Sequence, residues 1–216
     1  PLPDVTFNQD GTVAQDKIAG SRAERVFKMF ATEKIRSVFY WMGQRKNFKY
    51  ADGSKVPFNT DELDKSAPPN VLTPQWETVY PALVHAWMNH LRKLGLEQWM
   101  ASLPFDEAHS GKETAPGSNL YMVKKIYELT RAAEPKLSRY LTCGHWTLPE
   151  DIELVLPELD VAVIHWPQPD EYRGKPVHKL YVEKVLPMLR AEREKRGMKI
   201  WSYRVEGGKN MNPDEE

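Results

Sequence analysis

Disulfide bonding, membrane insertion and polyanion binding find little support in this chain. Cys143 is the sole cysteine among 216 residues, so no internal disulfide can form and the fold rests on its packed core. One cysteine suits a cytosolic protein, and many periplasmic and secreted enzymes also lack disulfides. No run of about 18 apolar residues occurs, so no membrane span is expected. Net charge is missing too. The 30 Lys and Arg balance 30 Asp and Glu, which gives no reason to expect nucleic acid as a partner. The basic run 190–196 is interleaved by Glu192 and Glu194 and reads as a solvated helix face. A signal-peptide pattern is also missing. The chain opens Pro1-Leu2-Pro3 without a Met, so a piece cut from a longer protein is expected.

Chemical signatures are equally sparse. No G-x-G-x-x-G or P-loop follows any strand candidate, which removes the commonest sign of a nucleotide-binding sheet. Neither H-E-x-x-H nor C-x-x-C occurs, so no metal and no cofactor is expected. Cys143-x-His145 lacks a metal-site spacing, and a lone thiol at a strand end is more often a small buried residue. No repeat of 20 to 50 residues is visible.

What the chain does have is aromatic rings. Seven Trp and nine Tyr is a rich supply for this length. Flat C–H faces of sugars pack on such rings, although more than half are expected in the core, where aromatics bury large areas.

An order of elements recurs. Residues 16–30 read as a helix with Ile18, Val26, Phe27 and Phe30 among its apolar positions, and 35–42 as a β-branched, aromatic strand. The polar stretch 43–72 is too long for an ordinary connection and reads as a functional loop or a small excursion. Thr73-Pro74 opens a helix and Gly95 stops it. A strand over 97–105 follows, then a loop over 108–117 and a helix over 118–133. Further strands are expected at 137–143, 159–165 and 199–204. Helices at 148–155 and 177–196 separate them.

Five strands alternating with helices predict parallel βαβ units and an α/β fold. A closed (β/α) barrel competes with an open doubly wound sheet. Polar and aromatic residues gather just after the strands, where a barrel keeps its site. A complete TIM-type barrel takes about 250 residues, so residues 1–216 are expected to be a single barrel domain, incomplete, with about five βα units.

The strand ends supply the candidate site. Trp41 follows the first strand, Asp106 and Glu107 the second, with His109 just beyond. His145 and Trp146 follow the third, His165 and Trp166 the fourth, and Trp201, Tyr203 and Arg204 the last. Two carboxylates at a strand end can divide acid and base work, because burial and repulsion push their pKa values apart. Adjacent residues are too close to flank a scissile bond in either standard glycosidase spacing. They suit the substrate-assisted exception, in which the sugar's own 2-acetamido oxygen attacks. A solvated Asp-Glu pair opening a loop is the competing reading. Trp201 and Trp166 can serve as sugar platforms and His165 as a hydrogen-bond donor, while Arg204 can pair with a carboxylate or an anionic group.

These residues carry a resemblance. Leu72-Thr73-Pro74-Gln75-Trp76, Tyr80, His90-Leu91-Arg92-Lys93-Leu94-Gly95 and Phe105-Asp106-Glu107 together resemble the catalytic domain of glycoside hydrolase family 123. The stretch 127–135, Leu159-Asp160 and Lys199-Ile200-Trp201-Ser202-Tyr203 extend the likeness over most of the chain. The resemblance implies a (β/α)8 barrel and a retaining N-acetyl-β-galactosaminidase acting on an oligosaccharide or glycan. It implies that Asp106 polarises the acetamido group and that Glu107 is the acid/base, with Trp166, Trp201 and Tyr203 in the cleft. It also implies a periplasmic or secreted protein. The family has Pro where this chain has Ala108, and it continues through further barrel strands. Two other readings stay open: a two-carboxylate glycosidase using Asp170 or Glu171, and a barrel that binds carbohydrate without cleaving it.

Overall fold

The computed structural model describes residues 5–34, 47–104, 119–144, 147–165, 174 and 176–203. The chain opens with a hairpin that the helical reading of 16–30 does not anticipate. Strands β1 (Val5–Phe7) and β2 (Val13–Asp16) pair antiparallel. Between them the Asp10 side chain accepts from the Thr12 amide at 2.9 Å, an Asx turn. Gly11 follows at φ 87°. A side chain there would start 2.3 Å from the Thr78 Cγ2 methyl, so only glycine fits both the backbone and the space. The Asp-Gly pair is the sequence signal for such a hairpin.

Helix α1 (Arg22–Thr32) therefore starts later than the apolar pattern predicts. Ser21 caps it by accepting from the Glu24 amide at 3.1 Å, and Glu24 reaches back to the Gly20 amide at 2.7 Å. The predicted strand 35–42 lies outside the described residues. Strand β3 (Lys49–Tyr50) then pairs parallel with β1, giving the order β2-β1-β3.

The long polar stretch proves to be a packed excursion over its described part. Phe48, Val56, Phe58 and Leu72 are buried within it, and Asp52 and Asp64 turn the chain through Asx contacts with Ser54 and Ser66. It leads into α2 (Pro74–Lys93), capped by Thr73, which accepts from the Trp76 amide at 3.1 Å. Trp76 is the hub of the first core. Its ring stacks on Tyr80 at 4.6 Å and on Phe48 at 5.6 Å, and meets Phe58 edge-on at 5.3 Å. Gly95 (φ 67°) ends the helix, and the Leu96 amide bonds back to Leu91 at 2.9 Å.

The expected strand 97–105 is much reduced. Residues Glu97–Trp99 form one 3₁₀ turn, closed by the Met100 amide on the Glu97 carbonyl at 3.1 Å, and the paired strand shrinks to β4 (Ala101–Ser102). From there the alternation holds: α3 (Asn119–Ala133), β5 (Ser138–Cys143), α4 (Pro149–Val155), β6 (Val161–His165), α5 (Val177–Leu180) and α6 (Leu186–Arg196), then β7 (Lys199–Tyr203). Between α5 and α6 the helix widens into a π turn, Tyr181–Val185, just before Pro187. Proline cannot donate to the preceding turn and its ring crowds the carbonyl there, so the widened turn relieves the conflict.

Strands β4, β5, β6 and β7 pair in chain order, all parallel. Each crossover runs through helix. The fold is thus α/β with a four-stranded parallel sheet, and four of the five expected strands are seen. Two cores result. The first joins the three-stranded sheet, α1 and α2; the second joins the parallel sheet to α3–α6. Helix α3 serves both, with Met122 and Ile126 in the first and Leu120, Val123 and Tyr127 in the second. Among the described residues no helix is long and apolar enough to cross a membrane.

Candidate functional site

Alternation divides the parallel sheet into two faces. Toward the helices it presents Leu141 and Cys143 of β5 and Ala162 and Ile164 of β6, all in the second core. Cys143 is fully buried there, a packing residue. The other face carries Tyr140, Thr142, Val163, His165 and Trp201.

That face brings together two of the residues singled out from sequence. Trp201 stands opposite Val163, and His165 is opposite Tyr203, at the carboxyl end of β6. His165 and Trp201 are half-buried. Trp201 meets Tyr140 edge-on, with centroids 5.5 Å apart and planes at 67°. Edge-to-face packing sets the positive rim of one ring on the negative face of the other. Burial raises the Tyr140 phenol above its ordinary value, with Asp160 adding to the effect, so it stays a neutral donor at physiological pH. The Tyr140 carbonyl accepts from the Tyr127 hydroxyl of α3, which fixes β5 against that helix.

Sequence reasoning missed Tyr140 and Thr142 because β5 ends in Cys143, which draws attention to the wrong face. The parity of the strand holds the signal: Tyr140 and Thr142 alternate with the apolar Leu141 and Cys143.

Trp41, Asp106, Glu107, Trp166 and Arg204 lie outside the described residues, as do His109, His145 and Trp146, and only the backbone of Tyr203 is described. Strand β4 is described up to its continuation at Leu103-Pro104. It runs parallel to β5, so the chain leaves it at the same edge of the sheet that ends in His165.

At the opposite, amino edge an ion pair joins β5 to the residue before β6. The buried Arg139 reaches Asp160 at 2.6 and 2.8 Å, and the Arg139 amide donates to the same carboxylate at 2.9 Å. A cavity of about 190 Å³ lies beside this pair, lined in part by Lys136, Arg196 and Lys199. Another of about 190 Å³ lies between the hairpin and α2, against Gln9 and Thr78. Neither is lined by Tyr140, His165 or Trp201. Among the described residues no three His, Cys, Asp or Glu side chains gather to hold a metal ion.

No protein-family model matches the chain, and no curated protein sequence matches it significantly. Solved structures offer partial likenesses. One is a psychrophilic glycoside hydrolase family 10 endo-β-1,4-xylanase, at 10% identity and a TM-score of 0.35, over 85% of this chain and 70% of that one. Another is the Legionella pneumophila ChiA C-terminal domain, at 11% identity and a TM-score of 0.31, over 82% of this chain and 62% of that one. Likenesses at this level define neither the fold nor the activity of this chain.

Proposed function

We propose that the chain is the catalytic domain of a retaining glycoside hydrolase that cleaves β-linked 2-acetamido sugars of the N-acetylgalactosaminide type, built on a (β/α) barrel of which residues 1–216 form a part. The observation that carries this reading is the direction of β4. It runs parallel to β5, β6 and β7, and Asp106 and Glu107 follow two and three residues after Pro104. The edge where β4 ends is the edge where β6 delivers His165.

In this reading Asp106 holds the acetamido group and polarises its oxygen for attack on the anomeric carbon. Glu107 first protonates the leaving oxygen and then, as a base, activates the water that opens the cyclic intermediate. Trp201, backed edge-on by Tyr140, offers an apolar ring to a sugar face, and His165 offers a hydrogen bond beside it. Trp41, Trp166, Tyr203 and Arg204 complete the proposed substrate contacts.

The test is hydrolysis of two aryl β-glycosides, one of N-acetylgalactosamine and one of galactose. The acetamido sugar alone is expected to be cleaved, with Glu107→Gln lowering the rate by about 10²- to 10⁴-fold. Equal cleavage of both sugars would point instead to a second, distant carboxylate such as Asp170 or Glu171. Binding without cleavage would leave a carbohydrate-binding barrel.

A further inference from the structure

We propose that Tyr181 is a positioning residue of this site, fixing through its hydroxyl the turn by which the chain leaves β5 at the carboxyl edge. The inference rests on the reading of that edge given above.

The geometry starts from a spacing. Val177, Tyr181, Val185 and Leu189 recur every fourth residue, and each is at most 1% exposed. Four α-helical residues turn through about 400°, so a strict spacing of four drifts by about 40° at each step and about 120° over three. A uniform α-helix would swing Leu189 well away from the side that Val177 faces. The π turn at Tyr181–Val185 winds less per residue and takes up much of that drift. All four side chains then stay on the second core, and Tyr181 is held within it.

A phenol so deeply buried has to find hydrogen-bond partners. Tyr181 finds them in the β5–α4 turn. Its hydroxyl lies 3.0 Å from the Gly144 carbonyl and 2.9 Å from the Thr147 carbonyl, sharing one proton between them. The Gly144 carbonyl also accepts from the Thr147 amide at 3.1 Å. Gly144 follows the last residue of β5, and Thr147 is fully buried ahead of α4. Both ends of the turn are thus tied to one side chain from a distant helix. A phenylalanine would fill the same space, so what the hydroxyl adds is the placement of this turn. In sequence the turn carries His145 and Trp146, a donor and an aromatic ring of the kind a glycan site uses.

Two variants separate positioning from plain stability. Tyr181→Phe keeps the ring and removes the tie. Val185→Ala opens a void in the same stripe without touching Gly144 or Thr147. For hydrolysis of the aryl N-acetyl-β-galactosaminide by the full chain, Tyr181→Phe is expected to lower kcat/KM at least about tenfold, the scale of a small misplacement at a site. Val185→Ala is expected to lower Tm at least as much while leaving kcat/KM near the parent's. Amide exchange over residues 145–148 is expected to quicken in Tyr181→Phe and not in Val185→Ala. Equal losses of activity in both variants, or unchanged exchange in Tyr181→Phe, would overturn the proposal. An active parent whose kcat/KM survives Tyr181→Phe would overturn the positioning role and leave the glycosidase reading standing. An inert parent that binds no glycan would overturn both.

Discussion

Glu24 of α1 and His90 of α2 face each other with Oε2 and Nε2 3.0 Å apart, and the carboxylate is almost fully buried. The same carboxylate takes the Gly20 amide and the Lys28 ammonium. Along the same helix α2 the pattern recurs. Glu134, just past α3, lies 3.0 Å from His85 and 2.7 Å from Arg92. Helix α2 is thus clasped through histidines to the helix before it and to the end of the helix after it.

The first clasp predicts a pH dependence. The Glu24 carboxyl is held below its ordinary value, foremost by Lys28, with the Gly20 amide and His90 adding and burial opposing. The folded state therefore binds this proton less tightly than the unfolded chain. The stabilisation is complete above the unfolded value of about 4.3 and is lost as pH falls through the lower folded value. Glu24→Gln is expected to be less stable than the parent at neutral pH by about 1 kcal/mol. That gap should close as pH falls below about 4. Urea midpoints at neutral and acidic pH would show it, and a gap constant with pH would rule out the carboxylate as its source.

Arg139 and Asp160 form the second ionic test. Arg139 is 3% exposed, whereas the Asp160 side chain is 33% exposed. Removing the carboxylate alone strands a buried guanidinium. Asp160→Ala is expected to destabilise by about 3 kcal/mol. Arg139→Met together with Asp160→Ala should be less damaging than Asp160→Ala alone, because no charge is left unpaired. Urea denaturation of the single and double variants gives the comparison.

Gly11 predicts a coupled pair of substitutions. Gly11→Ala meets the Thr78 methyl and carries a left-handed backbone, and should cost about 1–3 kcal/mol. Thr78→Ser removes that methyl and keeps a hydroxyl able to reach the Pro74 carbonyl, now 2.8 Å away. In its presence Gly11→Ala should cost less, with the remainder due to the backbone. Additive costs in the double variant would exclude the steric account.

Trp201 and Trp76 should part company. Trp76→Ala opens the middle of the first core and is expected to cost about 3–5 kcal/mol. Trp201 is half-buried on the sheet face turned away from the second core, so Trp201→Ala should disturb the fold less while raising KM for the aryl N-acetyl-β-galactosaminide. Trp201→Phe should restore part of the loss. A KM untouched by Trp201→Ala would make the ring a purely structural partner of Tyr140.

The helices were legible where the sequence carries explicit stops and starts. Thr73-Pro74 and Gly95 bound α2 as the cap rules require, and the apolar run Val161-Ala162-Val163-Ile164 marks a strand buried on most of its length. Other elements hid behind averages. Phe48, Val56 and Phe58 are scattered through a polar stretch, and only the packed structure shows that they converge on Trp76. Strand β4 is short because Glu97-Gln98-Trp99 closes into a turn, a choice that local propensity does not make. The link between Trp201 and Tyr140 depends on register across β6, which no single strand encodes. The interruption at Tyr181–Val185 could have been found from the four-residue spacing together with Pro187. For Asp106 and Glu107 the sequence remains the ground of the reading.

The chain-order pairing of the parallel sheet also shapes how the protein reaches its native state. Every strand joins the neighbour that precedes it, and of the three crossovers the one between β5 and β6, through the short α4, is the briefest. Closing that loop loses the least chain entropy. The β5–α4–β6 unit is therefore the natural nucleus, with β7 and then β4 adding across longer connections. The turn that Tyr181 later secures lies inside this nucleus. Its tie from the π turn is a late contact, and Tyr181→Phe should speed unfolding more than it slows folding.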